Sequence, residues 1–369
     1  HEIPVGDDPH GVLASPSGDR IYVLNTGEDS ISVIDAHSFR EVRHLASGNG
    51  PWSAALRSDQ TSIVVTSVRP LVCGFGDPHR SEVTVVSTGE DRVTQRVMAA
   101  DANMLEGVAS VPGRDVVLFT LMRTKNLVPI TRLAQGWVLT NGLGVLWGDG
   151  RLDQVLLDEP NRSFPDPVDV AASPDGRLAA VTSGGADEVA IVDIEALLDA
   201  ITSSTSESRA EFLPNHLGTS SRFVQRRVQV GADPRGVVFS PDGRFIYVAE
   251  TLDDSVAVLD VRSSSVVRRI NLGGPAEVTA LRLGERLFHD ARRTQGRQFS
   301  CRSCHPDGHI DGMSFDIEAD GLGLHPVDNR SLRGIFDTAP FKWEGTNPTL
   351  HRQCGPRFAV FFTRLDPFT

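Results

Sequence analysis

The stretch Pro234-Arg235-Gly236-Val237, continuing through Ser240-Pro241-Asp242-Gly243 and Ile246-Tyr247-Val248 to Ser255-Val256-Ala257-Val258-Leu259-Asp260, decides the fold. Its apolar run stops at Ser-Pro-Asp-Gly, where proline suits the second position of a turn and glycine supplies the positive φ of a tight reversal. A β-branched strand follows, then a polar turn, then an alternating strand closed by aspartate. The same order runs from Pro9-His10-Gly11-Val12 through Ser15-Pro16-Ser17-Gly18 and Ile21-Tyr22-Val23 to Ser30-Ile31-Ser32-Val33-Ile34-Asp35. There Glu41-Val42-Arg43-His44-Leu45 adds a fourth strand. A third copy spans Pro167, Ser173-Pro174-Asp175-Gly176 and Val189-Ala190-Ile191-Val192-Asp193, and weaker copies begin near Pro51 and Glu106. Units of roughly 40 residues built this way read as β-propeller blades. The recurring Asp35, Asp193 and Asp260 close strands, and their expected role is to accept turn amides.

The first and fifth copies resemble the YVTN-type propeller repeat of secreted and periplasmic bacterial proteins. Five blades are expected over residues 1–274. Insertions fall at Arg69 to Arg80, at Lys125 to Leu139, and at a short helix near Glu195 to Ile201 followed by the Ser-rich Ser203 to Ser208. A propeller removes its sheet edges only by closing. Either blades are missing at the start, the favoured expectation, or a later segment completes the ring.

After Gly274 the pattern changes. Val278, Leu281, Glu285 and Phe288 fall at helical spacing and predict an amphipathic helix over Ala276 to Asp290. A Gly/Arg-rich loop then leads to Cys301-Arg302-Ser303-Cys304-His305. C-x-x-C-H is the attachment signature of a c-type haem: two thiols form thioethers with one porphyrin, and the adjacent histidine ligates its iron. The rival readings are half of a zinc site or a redox dithiol. The only other cysteines, Cys73 and Cys354, are far apart, and no βαβ context surrounds the pair. Cys73 and Cys354 stand as a disulfide, as unrelated thiols, or with a partner beyond the end of this chain. A second helix is expected over Asn329 to Ile335.

The 369 residues carry 36 Lys and Arg against 48 Asp and Glu, a net charge of -12. This acidity argues against nucleic acid and against an anionic membrane surface. No apolar run reaches the length of a transmembrane helix. The first residue is His1 rather than methionine, as expected of a processed or cropped start. Covalent haem implies export, and a periplasmic or extracellular address is expected.

Gly284-Glu285-Arg286-Leu287-Phe288, Phe299 to His305, Asp311-Gly312, Asn329-Arg330-Ser331-Leu332 and Ala339-Pro340-Phe341-Lys342-Trp343-Glu344-Gly345 together resemble the N-terminal haem domain of bacterial di-haem cytochrome c peroxidases. The related haem enzyme that matures a tryptophan-derived quinone shares this pattern. The resemblance implies a small α-helical cytochrome c domain over residues 275–369, with one covalent haem c on Cys301 and Cys304 and with His305 as proximal ligand. It implies His325 as distal iron ligand, Trp343 as an electron relay, a calcium ion, and a second haem beyond this chain. The chain departs from the family in lacking a second C-x-x-C-H and in the spacing from His305 to His325. Met313 is a rival sulfur ligand or a packing residue, His351 is a more distant candidate, and His309 is read as solvent-facing or hydrogen-bonding.

Three functions follow. The first is one-electron transfer to a redox partner protein or a second haem domain. The second is peroxidase-like oxidoreductase chemistry, and the third is a propeller binding module whose haem senses redox state or a gas. The residues name no substrate.

Overall fold

The computed structural model describes residues 2–74, 76–128, 136–275, 277–316, 326–342 and 345–352. His325, Trp343 and Cys354 lie outside the described residues.

The described residues are mainly β. Twenty strands form five antiparallel four-stranded sheets in chain order. The first sheet holds β1 to β4 (Pro9–Ala14, Arg20–Asn25, Ser30–Asp35, Arg40–Ala46). The second holds β5 to β8 (Pro51–Leu56, Ser62–Ser67, Arg80–Ser87, Arg92–Ala100). The third holds β9 to β12 (Val108–Ser110, Val116–Thr124, Leu139–Trp147, Leu152–Leu156). The fourth holds β13 to β16 (Pro167–Ala172, Leu178–Ser183, Glu188–Asp193, Val224–Gln229), and the fifth β17 to β20 (Pro234–Phe239, Phe245–Glu250, Ser255–Asp260, Ser265–Asn271). The first strand of each sheet packs on the first strand of the next, which gives a propeller-like series.

The repeats explain each sheet locally. In the fifth, Ser240 Oγ donates to Asp242 Oδ1 at 2.5 Å and accepts the Phe245 amide at 2.9 Å. Asp242 also takes the Arg244 amide, and Gly243 closes the turn with a φ of 69°. Ser173 and Asp175 repeat this arrangement with Leu178 and Arg177. The strand-closing aspartates act as expected: Asp35 accepts the His37 and Ser38 amides, Asp260 accepts that of Ser263, and Asp193 caps α1 (Ile194–Thr202) through the Ala196 amide.

Alternation then builds the core between sheets. Tyr22, Leu24, Ile31 and Val33 of the first sheet meet Ile63, Val65 and Val86 of the second. Val64, Val83 and Val85 meet Val117, Phe119 and Leu121 of the third. Leu118, Leu143 and Val145 meet Val170, Ala179 and Val181 of the fourth, with α1 sealing the rim. Ala180, Val189 and Ile191 meet Val237, Phe239, Ile246 and Val248 of the fifth. Each fully buried Val or Leu contributes about 1.5–3 kcal/mol. The outward faces of the terminal sheets differ: Val12 of β1 is 69% exposed and Val238 of β17 is 58% exposed.

One register feature positions everything that follows. The residue opening each repeat has left-handed φ: Asp8, Gly50, Met104, Asp166 and Asp233. Aspartate tolerates this conformation better than most residues. In four of the sheets the pairing then slips, between Pro9 and Val12, Pro51 and Ala54, Pro167 and Val170, and Pro234 and Gly236. Such a bulge re-aims a side chain. In those four sheets the re-aimed position, two after the left-handed residue, holds His10, Trp52, Val168 and Arg235, and the equivalent position before the unshifted β9 holds Glu106.

After residue 274 the described chain is less helical than expected. Helix α2 (Ala280–His289) starts at Thr279, whose side chain accepts the Arg282 amide, so it is shorter than the predicted Ala276 to Asp290. The rest is single-turn 3-10 segments, the hairpin of β21 (Ser314–Asp316) and β22 (Pro326–Asp328), and the short α3 (Leu350–Arg352). Left-handed residues at Asp307, Gly308, Gly312 and Gly334 break helical propagation. The helix expected over Asn329 to Ile335 does not form. The Asn329 side chain serves the Cys304 carbonyl and Asp311, and the Leu332 amide donates to the Gly308 carbonyl at 2.7 Å.

Gly243→Ala places a Cβ at ordinary contact distance, 3.7 Å from Pro174 Cδ, but at left-handed φ. The expected loss is about 1–2 kcal/mol, read as a lower urea midpoint. Gly236→Ala is the control: it sits in β17, outside the left-handed region, and its new Cβ meets nothing nearer than Ala249 Cβ at 3.6 Å. It should leave the midpoint unchanged or raise it.

Candidate functional site

Helix α2 and the motif lie across the end of the sheets at which the first strands begin. Arg286 of α2 bonds the Leu252 carbonyl and Asp253 of the fifth sheet, and Arg282 pairs with Asp254. The Ala291 amide donates to the Gly185 carbonyl, and Arg292 pairs with Asp187 of the fourth sheet. Gln298 Oε1 accepts the Val138 amide at 2.8 Å, beside the third sheet. Phe299 enters an apolar cluster with Trp52, Val68, Met104 and Met122.

The motif follows as one helical turn, in which the Cys301 carbonyl accepts the amides of Cys304 at 3.4 Å and His305 at 3.1 Å. Residues at i, i+3 and i+4 share one face of such a turn. Cys301, Cys304 and His305 therefore lie together, and Arg302 and Ser303 face the other way. Both intervening residues are buried against the sheets. Arg302 Nη1 and Nη2 donate to Glu106 Oε1 at 3.0 Å and Oε2 at 2.6 Å, with each residue 1% exposed. Ser303 and Ser300 both donate to Asp166, the left-handed residue before β13. Burial by itself disfavours the Arg302 cation, but the facing Glu106 carboxylate more than offsets this and holds its pKa above the ordinary arginine value.

Further bonds tie the motif to both terminal sheets. Arg235 of β17 donates to Asp307 Oδ1 at 2.9 Å. Burial alone would raise the Asp307 carboxyl, and Arg235 outweighs it, leaving that pKa below the usual range. On the other side His309 Nε2 lies 3.3 Å from Asp8, the residue before β1, with Arg333 at 4.0 Å from the same carboxylate. The motif spans the first and fifth sheets, which are far apart in sequence.

The donor set can be tested against a haem. Cys301 and Cys304 are half-buried and form no disulfide, and burial pushes the Cys304 thiol well up. His305 Nδ1 lies 3.3 Å from the His309 carbonyl, which can only accept, so that nitrogen carries the proton. The Arg330 backbone is a second partner of the ring. Burial holds the imidazole below its ordinary pKa, in the neutral form that ligates metals. Two thiols and a neutral, backbone-oriented imidazole on one face fit a c-type haem. Among the described residues no group of three or more His, Cys, Asp or Glu comes together as a metal site.

Met313 is buried, with its amide on Asp311. Asp311, fully buried, is pushed up to about 7 by desolvation despite bonds from Asn329 and Met313. Cys73 is exposed and unbridged, and His351 lies in α3. Glu106, Asp166, Arg235 and Arg302 were not singled out as site residues from the sequence. The available signal was charge at the re-aimed position, where other repeats carry Trp52 or Val168.

No family model matches the chain. Over 234 residues it is 28% identical to hydrazine synthase subunit beta of Kuenenia stuttgartiensis, covering 63% of this chain and 59% of that protein. The chain therefore spans about 59% of the length of this curated relative. Among solved structures, Kuenenia stuttgartiensis hydrazine synthase matches with a TM-score of 0.52 and 22% identity, over 71% of this chain and 86% of that one. A functionally unknown protein from Desulfotomaculum acetoxidans gives a TM-score of 0.48 at 16% identity. The hydrazine synthase superposition speaks for a shared mainly β, propeller-like fold.

His289 at the end of α2 supplies a pH test. Its Nδ1 donates to the Glu285 carbonyl at 2.8 Å and its Nε2 accepts from Arg235 at 3.1 Å, so the folded state requires the neutral ring. Burial depresses its pKa, and Arg302 and Arg235 add to this against the opposing Asp233. The stability from this neutral ring is complete above the unfolded value of about 6.5 and is lost as pH falls below it toward the folded pKa. His289→Gln should lose less stability than the native chain between pH 7.5 and 5.5 in urea titrations. An identical loss in both would exclude this role.

Proposed function

We propose that the chain is a c-type cytochrome on a propeller scaffold, transferring single electrons to a protein partner. The observation that carries this reading is the turn Cys301 to His305, with thiols and a neutral imidazole on one face and Arg302 and Ser303 anchored beneath. Bound there, haem c supplies one-electron chemistry that no side chain provides. The residues do the rest. Cys301 and Cys304 would hold the group covalently, and His305, whose Nδ1 is engaged by the His309 carbonyl, would be its iron ligand. The His309 carbonyl fixes the ring's tautomer and orientation, as metal-bound histidines require. Asp311, Asn329 and the Cys304 carbonyl keep the neighbouring loop in place.

The likeness to a subunit of hydrazine synthase supports a redox setting and a protein partner. Among the described residues no helix is long and apolar enough to cross a membrane. Export to the periplasm, a calcium ion, a second haem outside this chain and a relay through Trp343 belong to the same proposal. A peroxidase-like activity would depend on that second haem.

After maturation in an export-competent host, the denatured chain should give a pyridine haemochrome spectrum and retain its haem through acid-acetone extraction. Cys301→Ala with Cys304→Ala should abolish retention, and haem that stays on the double variant would sink the reading. For the opposite side of the iron, His325→Ala should convert a low-spin ferric spectrum to high spin while Met313→Ala leaves it unchanged. The reverse result assigns the ligand to the methionine, and a native high-spin spectrum favours the peroxidase or gas-sensing reading.

A further inference from the structure

We propose that Arg302 is a positioning residue for the haem: anchored on Glu106 at the propeller end, it fixes the orientation of the binding turn and makes the scaffold's charge a determinant of the iron's reduction potential. This rests on the haem reading above.

The geometry gives three supports. Arg302 stands between the two cysteines, so its backbone cannot move without moving both thiols. Its guanidinium makes a two-pronged bond to a carboxylate that is itself buried. Such a fork fixes direction as well as distance. Glu106 is in turn held rigidly. Its carbonyl accepts Thr66 Oγ1 at 2.8 Å, and the Gly107 amide bonds Thr120 Oγ1 at 3.0 Å. A Cβ on Gly107 would come within 2.4 Å of Asp169 Cα, so the neighbouring strand is packed directly against this carboxylate's backbone.

The electrostatic half follows from burial. Buried charges near an iron centre are poorly screened and shift its potential. The intact pair is close to neutral. Glu106→Gln removes the anion and leaves the cation beside the motif, which favours the reduced iron, so the potential should rise. Replacing both partners by neutral residues should return it toward the native value, as should retaining both charges in Arg302→Lys.

The experiment uses the full matured chain. Spectroelectrochemical titration compares the native protein with Glu106→Gln, Arg302→Lys and the double variant Glu106→Gln with Arg302→Gln. Hydrogen exchange is followed in parallel. In the double variant the amides of Ser300 to His305 should exchange about tenfold faster, while those of β17 to β20 keep their protection. A general loss of stability would instead accelerate all of them.

A positive shift in Glu106→Gln, reversed in the double variant, together with local acceleration at the turn supports the proposal. An unchanged potential in haem-loaded Glu106→Gln, or unchanged exchange at the turn, overturns it. If Glu106→Gln does not fold, the exchange result in the double variant decides, because removing both charges leaves none buried and unpaired. A native chain that binds no haem would refute the function proposed above, and the exchange arm would still test whether Arg302 anchors the turn.

Discussion

The ion pair between Arg302 and Glu106 joins two things that the chain builds separately. Glu106 belongs to the scaffold, two residues after the left-handed Met104 and just before β9. Arg302 belongs to a turn almost two hundred residues later, on the side opposite the thiols. Burying either charge alone would cost several kcal/mol. The bond therefore forms only when the sheets are in register and the motif has its helical turn. Arg302 and Ser303 are buried beneath the turn, and Cys301, Cys304 and His305 are left half-buried.

The same register position takes different chemistry in each repeat. His10 stacks on Trp52 with ring centroids 3.5 Å apart, Val168 is apolar, and Arg235 reaches Asp307 and His289. A left-handed residue opens all five repeats, an aspartate in three of them, and a bulge follows it in four. The repeats thus act as a frame that delivers arbitrary residues to a shared end surface. Docking there is largely polar: Ser300 and Ser303 on Asp166, Gln298 on the Val138 amide, Arg292 on Asp187. Each bond contributes modestly, and its absence would strand a buried group at greater cost. Phe299 adds the main apolar anchor.

Between the terminal sheets the C-terminal segment is the connecting element, with Asp307 on the fifth and His309 on the first. The scaffold and the motif are therefore mechanically linked. A change in how the sheets sit against each other would be felt at His305 through His309, whose carbonyl orients the ring and whose side chain faces Asp8.

Local chemistry was legible in the sequence. Ser-Pro-Asp-Gly turns, strand-closing aspartates and period-2 alternation are set by neighbours within a few residues, so Gly243, Asp260 and the five sheets could be read directly. The C-x-x-C-H turn is equally local, which is why Cys301, Cys304 and His305 were named together. The helix expected over Asn329 to Ile335 failed because Asn329 and Leu332 are bonded to Cys304 and Gly308, partners more than twenty residues away that no local propensity reveals. Glu106, Asp166 and Arg235 went unnoticed for the same reason: each is an ordinary charged residue until the fold sets it under the motif. The sequence alone determined the repeat, its turns and the attachment signature. Only the tertiary structure decided which face of that signature is held down and by what, because a buried ion pair is specified by the meeting of two distant backbones rather than by either one.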